Sequence, residues 1–153
     1  MRFLVQRVKK ACVTVDNAVI GKIEKGYLVF VGVSPTDTIK IADKMVKKLI
    51  GLRIFEDENG KTNLDMKAVG AQMLMISQFT LYADCRRGNR PSFTSAAAPA
   101  MAEELYHYIL QKCRQEITKV EEGLFGADMK VELINDGPFT IILDSDDLIS
   151  QEG

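Results

Sequence analysis

The run GYLVFVGV, residues 26–33, most narrows the folds open to this chain. A strand with one wet face alternates apolar and polar residues, whereas this run is apolar at nearly every position. It therefore predicts a strand covered on both faces, as in the interior of a layered α/β domain. AQMLMIS, residues 71–77, is a second short apolar run and predicts another central strand. Between the two the period changes. From Thr36 to Ile50, Ile39, Ala42, Met45, Val46 and Leu49 fall at helical spacing, and Lys40, Lys44, Lys47 and Lys48 take the opposite stripe, which reads as a solvated face. A second amphipathic helix is predicted to start near Pro99, with Met101, Leu105, Tyr108, Ile109 and Cys113 on one side.

The remaining elements are strands and turns. Residues 2–8 and 11–15 alternate as strands do, and DNAVIGKI supplies a turn and another strand. LRIFEDENGKTNL reads as a hairpin, with Asn59-Gly60 as the pair a type I′ turn prefers. Strands are predicted to close the chain at about 129–135 and 139–144. The expected fold class is α/β, with mixed β-sheets, two amphipathic helices packed on one side and an order of ββ–βα–βα–βββ type. One domain is expected over residues 1–153, with an acidic tail from about 146, because a chain of 153 residues suits a single core.

Composition excludes more than it assigns. The 20 Lys and Arg residues nearly balance 21 Asp and Glu, so any nucleic-acid contact must come from a local patch. Cys12, Cys85 and Cys113 are widely spaced and His107 is the sole histidine, which leaves no zinc pattern and points to a reducing, cytoplasmic setting. No metal and no cofactor are expected. No apolar run approaches 18 residues, so no membrane span is expected either. The closing DSDDLISQEG lacks the glycine and final glutamate of a calcium loop.

Chemistry concentrates in SQFTLYADCRRGNRPSFTS, residues 77–95, where an apolar strand runs into a long polar stretch. Ser77 and Thr80 offer hydroxyls and Gln78 an amide. Arg86, Arg87 and Arg90 could grip phosphates or form a solvated loop. No Ser-His-Asp, Cys-His or paired-carboxylate arrangement can be assembled around them. NDGPFT, residues 135–140, is read locally as a turn between two strands; a second reading is that Gly137-Pro138 presents backbone atoms to something. Arg7 shares a strand face with Phe3 and Val5, where a charge would need partners, unless it is an edge or surface arginine.

SQFTLYAD and NDGPFT together resemble the D-aminoacyl-tRNA deacylase family, the proofreading esterases that release D-amino acids from tRNA. QRVKKACVTVD, GKIEKGYLVFVGV, LRIFEDENGKTNLD, RRGNRPSF and GLFGADMKVELINDGPFT resemble family segments in the same order, so the likeness covers essentially the whole chain. It implies a hydrolase acting on the 3′ end of D-aminoacyl-tRNA, working as a homodimer without metal or cofactor. It further implies a cis Gly137-Pro138 bond that reaches into the other subunit's active site, where its carbonyls exclude L-residues. Arg7 would hold that element, and Thr140 would shape the pocket. Glycine has no Cβ to reject, so glycyl-tRNA(Ala) is an expected substrate. The resemblance makes the Phe79 N–H an oxyanion donor framed by Ser77 and Gln78, with Thr80 in a positioning role and the 2′-OH of the terminal adenosine assisting water. Ser77-Gln78 argues for this D-specific type over its relative with a trans Gly-Pro. One departure is Phe139, where valine is common in the family, and it puts the substrate range in question.

Overall fold

The computed structural model describes residues 1–150. Strand β1 (Arg2–Val15) organises the sheet. Along one edge its first half pairs antiparallel with β3 (Gly26–Gly32) and its second half with β2 (Ala18–Ile23). Its other edge pairs with β8 (Lys130–Asp144), from Arg2↔Asp144 to Thr14↔Lys130. Parallel pairing then adds β6 (Gln72–Ser77) to β3 and β7 (Val120–Glu122) to β6. The result is a mixed six-stranded sheet; β4 (Phe55–Glu56) and β5 (Thr62–Leu64) form a separate ribbon.

Two cores explain the apolar runs. Helices α1 (Ile39–Gly51) and α2 (Pro99–Arg114) cover one face, burying Ala42, Met45, Leu49, Leu105, Tyr106 and Ile109 against Phe3, Val5, Tyr27, Val29, Met73 and Met75. On the opposite face Leu28, Leu74 and Ile76 meet Val8, Ala11, Val13 and Ile23, with Val131 and Leu133 packed beside them. There the sheet curls over itself into a near-barrel. GYLVFVGV is thus covered by helices on one side and by its own sheet on the other. The α/β class with two helices on one side is as expected from the sequence, and no helix among the described residues is long and apolar enough to cross a membrane.

Local readings fared less evenly. The segments 2–8 and 11–15 are one strand, whose buried side changes near Val8 because it passes from one core to the other. The type I′ geometry sits at Asp16-Asn17, with φ of 48° and 64°, joining Val15 to its partner Ala18. At Asn59-Gly60 only Gly60 is left-handed, and the loop is instead tied by Asp57, whose Oδ1 accepts from the N–H groups of Asn59 and Lys61 at 2.9 and 3.0 Å. On α2 Tyr108 packs half-buried against the core as expected, but the fully buried tyrosine is Tyr106, which the sequence reading did not place there. The strand β7 had no counterpart among the predicted segments, since Val-Glu-Glu carries no alternating signal. The acidic tail begins with a short helix α3 (Ser145–Ile149), capped by the Asp144 carboxylate accepting from the Asp146 N–H; residues 151–153 of that tail lie outside the described residues.

The largest correction concerns NDGPFT. It does not turn the chain between two strands. Both of its flanks pair with β1, at Gln6↔Thr140 and Val8↔Asn135, so residues 136–139 form an excursion within one long strand, opposite Arg7 alone.

Candidate active site

The parallel strands β3 and β6 end side by side, and crevices at the carboxyl ends of parallel strands are common ligand sites. Here a cavity of about 580 Å³ opens, lined by Val31, Val33, Ile76 and Ser77 from those ends. The first turn of α2 (Pro99, Ala102) and the segment Phe125–Met129 complete the walls. Beyond β6 the Gln78 N–H donates to the Val31 carbonyl at 2.8 Å, and the chain tightens into a 3-10 turn, Phe79–Tyr82. Ser77, Gln78 and Phe79 all line the cavity. Phe79 and Phe93 stand exposed at its mouth, rings edge to face with centroids 5.1 Å apart.

The chemistry on offer is sparse. The N–H of Phe79 is among the first of the 3-10 turn, which have no partner within the turn, and no other acceptor meets it among the described residues. Thr80 lies outside the lining, its hydroxyl accepting from Gln78 Nε2 at 2.5 Å. The sole histidine, His107, is exposed along α2 with Glu103 3.6 Å away. Burial pushes the Cys113 thiol up to about 12, which keeps it protonated and inert. The cavity therefore offers an orphan amide donor, a hydroxyl and a carboxamide, with neither a nucleophile–base pair nor a general base among the lining side chains except the exposed Asp128.

The second motif builds a different cluster. Gly137 and Pro138 are exposed, joined by a cis peptide bond, and neither they nor Arg7 and Thr140 line the cavity of their own chain. Arg7 is buried and grips the excursion. Its Nε donates to the Asp136 carbonyl at 2.9 Å, its Nη1 donates to the Ile54 carbonyl at 2.6 Å, and the Phe139 ring lies 4.6 Å over its guanidinium. Phe139 is thus half of a cation–π pair, a role valine could not fill. Asn135 closes the excursion from inside. Its Oδ1 accepts from the Phe139 N–H at 2.6 Å and its Nδ2 donates to Thr140 Oγ1 at 2.9 Å.

Arg7→Met keeps the buried stem but leaves the Asp136 and Ile54 carbonyls without a donor. With charge-assisted hydrogen bonds contributing about 1.5–3 kcal/mol, the variant is expected to lose about 2–4 kcal/mol in urea unfolding at an unchanged slope. A loss below about 1 kcal/mol would mean that the grip on the excursion is slack.

The arginine loop is partly committed. Arg86 binds the Asp84 carboxylate through two nitrogens, at 2.9 and 2.8 Å, and this pairing holds the Asp84 carboxyl down to about 2. Arg87 and Arg90 are exposed. Sequence reasoning did not single out the cavity walls Phe93, Phe125, Asp128 and Met129, though GLFGADMK marked part of that segment.

A family described as D-Tyr-tRNA(Tyr) deacylase matches residues 4–144. A D-aminoacyl-tRNA deacylase of Clostridium novyi (strain NT) is 52% identical over 145 residues, covering 95% of this chain and 97% of its own. One of Thermosipho melanesiensis is 52% identical over 146 residues, covering 95% and 97%. Among solved structures, one described as c-Myc DNA Unwinding Element Binding Protein is 39% identical with a TM-score of 0.89, covering 94% of this chain and 98% of its own. Another, described as a probable eukaryotic D-amino acid tRNA deacylase, is 16% identical with a TM-score of 0.77 and speaks to the fold alone.

Proposed function

The chain belongs to the D-aminoacyl-tRNA deacylase family and is a hydrolase acting on the ester bond of D-aminoacyl-tRNA, and from that premise we propose how its two clusters divide the work between two copies of the chain. The cavity takes the 3′-terminal aminoacyl-adenosine. Water attacks the ester carbonyl carbon, and the Phe79 N–H receives the oxyanion that develops. The bond to the ribose oxygen then breaks, that oxygen leaves as a hydroxyl, and the 2′-OH of the same adenosine assists the proton transfer. Ser77 and Gln78 frame the amide, and Thr80 positions the Gln78 carboxamide through their 2.5 Å hydrogen bond. The observation that carries this reading is a cavity with an orphan N–H and no nucleophile–base pair.

The second copy supplies the filter. Gly137 and Pro138 are exposed, lie outside their own chain's cavity and are fixed from behind by Arg7 and Asn135. These are properties of a rigid projection that enters a neighbouring site. Its carbonyls stand near the substrate Cα, where a D-residue places hydrogen and an L-residue would place its side chain, so rejection comes from collision. Glycine passes, so glycyl-tRNA(Ala) is cleared as well. The assembly is a homodimer with two shared sites.

Purified protein should release D-amino acids from D-aminoacyl-tRNA and glycine from glycyl-tRNA, and leave the L-aminoacyl ester intact. Sedimentation should report a dimer, and an active monomer would end the shared-site reading. Thr80→Ala is expected to retain deacylation within about five-fold, since the hydroxyl only positions Gln78. A thousand-fold loss in a folded variant would instead make Thr80 the nucleophile.

A further inference from the structure

The lysine stripe of α1 has no part in the site described so far. Lys40, Lys47 and Lys48 are exposed, and none has an acidic partner among the described residues. The one acid on the helix, Asp43, is turned to α2, where its carboxylate accepts from the Tyr108 hydroxyl at 2.6 Å and lies 3.7 Å from the Lys112 ammonium. No acidic residue occupies the first turn of α1. In a chain of net charge −1, Lys40, Lys47 and Lys48 concentrate on this face positive charge that no acidic side chain pairs among the described residues.

Its position relates it to the cavity. Val33 lines the cavity, and α1 begins a few residues further along the chain, after its cap Thr38. Ala102 of α2 also lines the cavity, and the α2 residues that hold Asp43 lie about 9 to 15 Å further along that helix, at 1.5 Å per residue. From Lys40 to Lys48 the stripe extends about 12 Å along α1. A row of ammonium groups at this reach suits a polyanion whose end occupies the cavity.

We propose that the outer face of α1 binds the phosphate backbone of the tRNA acceptor arm while the 3′ end occupies the cavity, an assignment that rests on the deacylase reading above. Each lysine acts as a point charge on phosphate and carries no sequence information, so the surface serves any tRNA. It contributes to capture and residence, and the hydrolytic step does not need it.

The test uses the full-length protein and a K40E/K47E/K48E variant, with Lys44 left in place, on two substrates: D-aminoacyl-tRNA and the D-aminoacyl ester of adenosine. The variant should lose about 30-fold or more in kcat/KM on tRNA, through KM. Its dependence of log affinity on log salt should flatten by about 2 to 3. Hydrolysis of the adenosine ester should stay within about twofold, as it lacks the acceptor arm. Fluorescence titration with uncharged tRNA should show the same weakening without any chemistry. Equal activity of both proteins on tRNA, or equal losses on both substrates, would overturn the assignment. If the wild-type protein hydrolyses neither ester, the deacylase reading falls, and the uncharged-tRNA titration still decides whether the stripe binds the acceptor arm.

Discussion

Gly137→Ala is expected to cut hydrolysis of D-aminoacyl-tRNA by about 100-fold or more while leaving a folded protein. Gly137 has φ of 143°, in a region that residues with a side chain rarely adopt. A Cβ added there would stand 3.0 Å from the Phe139 nitrogen and 3.3 Å from Arg7 Nη2, so the excursion must give by a few tenths of an ångström against its own backbone and against the arginine that holds it. Backbone strain of this kind costs about 1–3 kcal/mol, a fall in Tm of about 3–10 °C for a domain of this size. The loss of activity should be much larger than the loss of stability, because the proposed filter would act by contact, where a small misplacement costs far more in rate than in stability. Discrimination should narrow too, with the D-to-L ratio falling more than hydrolysis of glycyl-tRNA. A folded variant with the full D-over-L preference would place the filter elsewhere.

Gly26→Ala should be the most damaging single methyl group in the molecule. Gly26 opens β3 opposite Gln72 of β6, and a Cβ at that position would lie 1.8 Å from the Gln72 carbonyl oxygen and 2.6 Å from its carbon. These are backbone atoms at the start of the central parallel pair, so no side chain can rotate away. The two strands must separate where the sheet is covered on both faces, and the cavity at their other ends would move with them. We expect no soluble folded protein, or a loss of more than about 4 kcal/mol. Gly51→Ala is the matched control. It ends α1 with nothing within 4 Å of an added Cβ, and should gain about 0.5–1 kcal/mol from helix propensity. Similar melting curves for the two variants would show that the β3–β6 approach is softer than its geometry.

What could be read from the chain beforehand follows from the range of the interactions involved. Residues 26–33 and 71–77 announced themselves because burial on two faces leaves a continuous apolar run. The helices did so because their stripes repeat locally. Residues 135–140 misled because Gly-Pro is a turn signal to its neighbours in sequence, whereas the strand continues on account of β1, far away in the chain. The sequence points to the type I′ geometry at Asn59-Gly60 because Asn-Gly is the commoner pair; it is the turn expected within DNAVIGKI, at Asp16-Asn17, that adopts it, with its strands held in register by Ala11↔Ile23 and Val15↔Ala18. Ser77, Gln78, Arg7 and Gly137 were legible as a set only through likeness to a family. Phe93, Phe125 and Met129 carry no chemical signature, and a cavity wall made of ordinary apolar residues emerges only when the chain is folded.

The pairing of β1 with β8 also sets a schedule for synthesis. Arg2 and Asp144 bond across 142 positions, and among the described residues β8 is the sole strand partner along that edge of β1. At translation rates of about 5–20 residues per second, the amino-terminal strand leaves the ribosome roughly 7 to 30 s before its partner exists. β2 and β3 can zip onto the opposite edge early, but the other edge, with Phe3 and Val5 beside it, stays open throughout. A nascent chain stalled before β8 should therefore recruit holdase chaperones and yield readily to protease, and both vulnerabilities should vanish together once β8 has emerged.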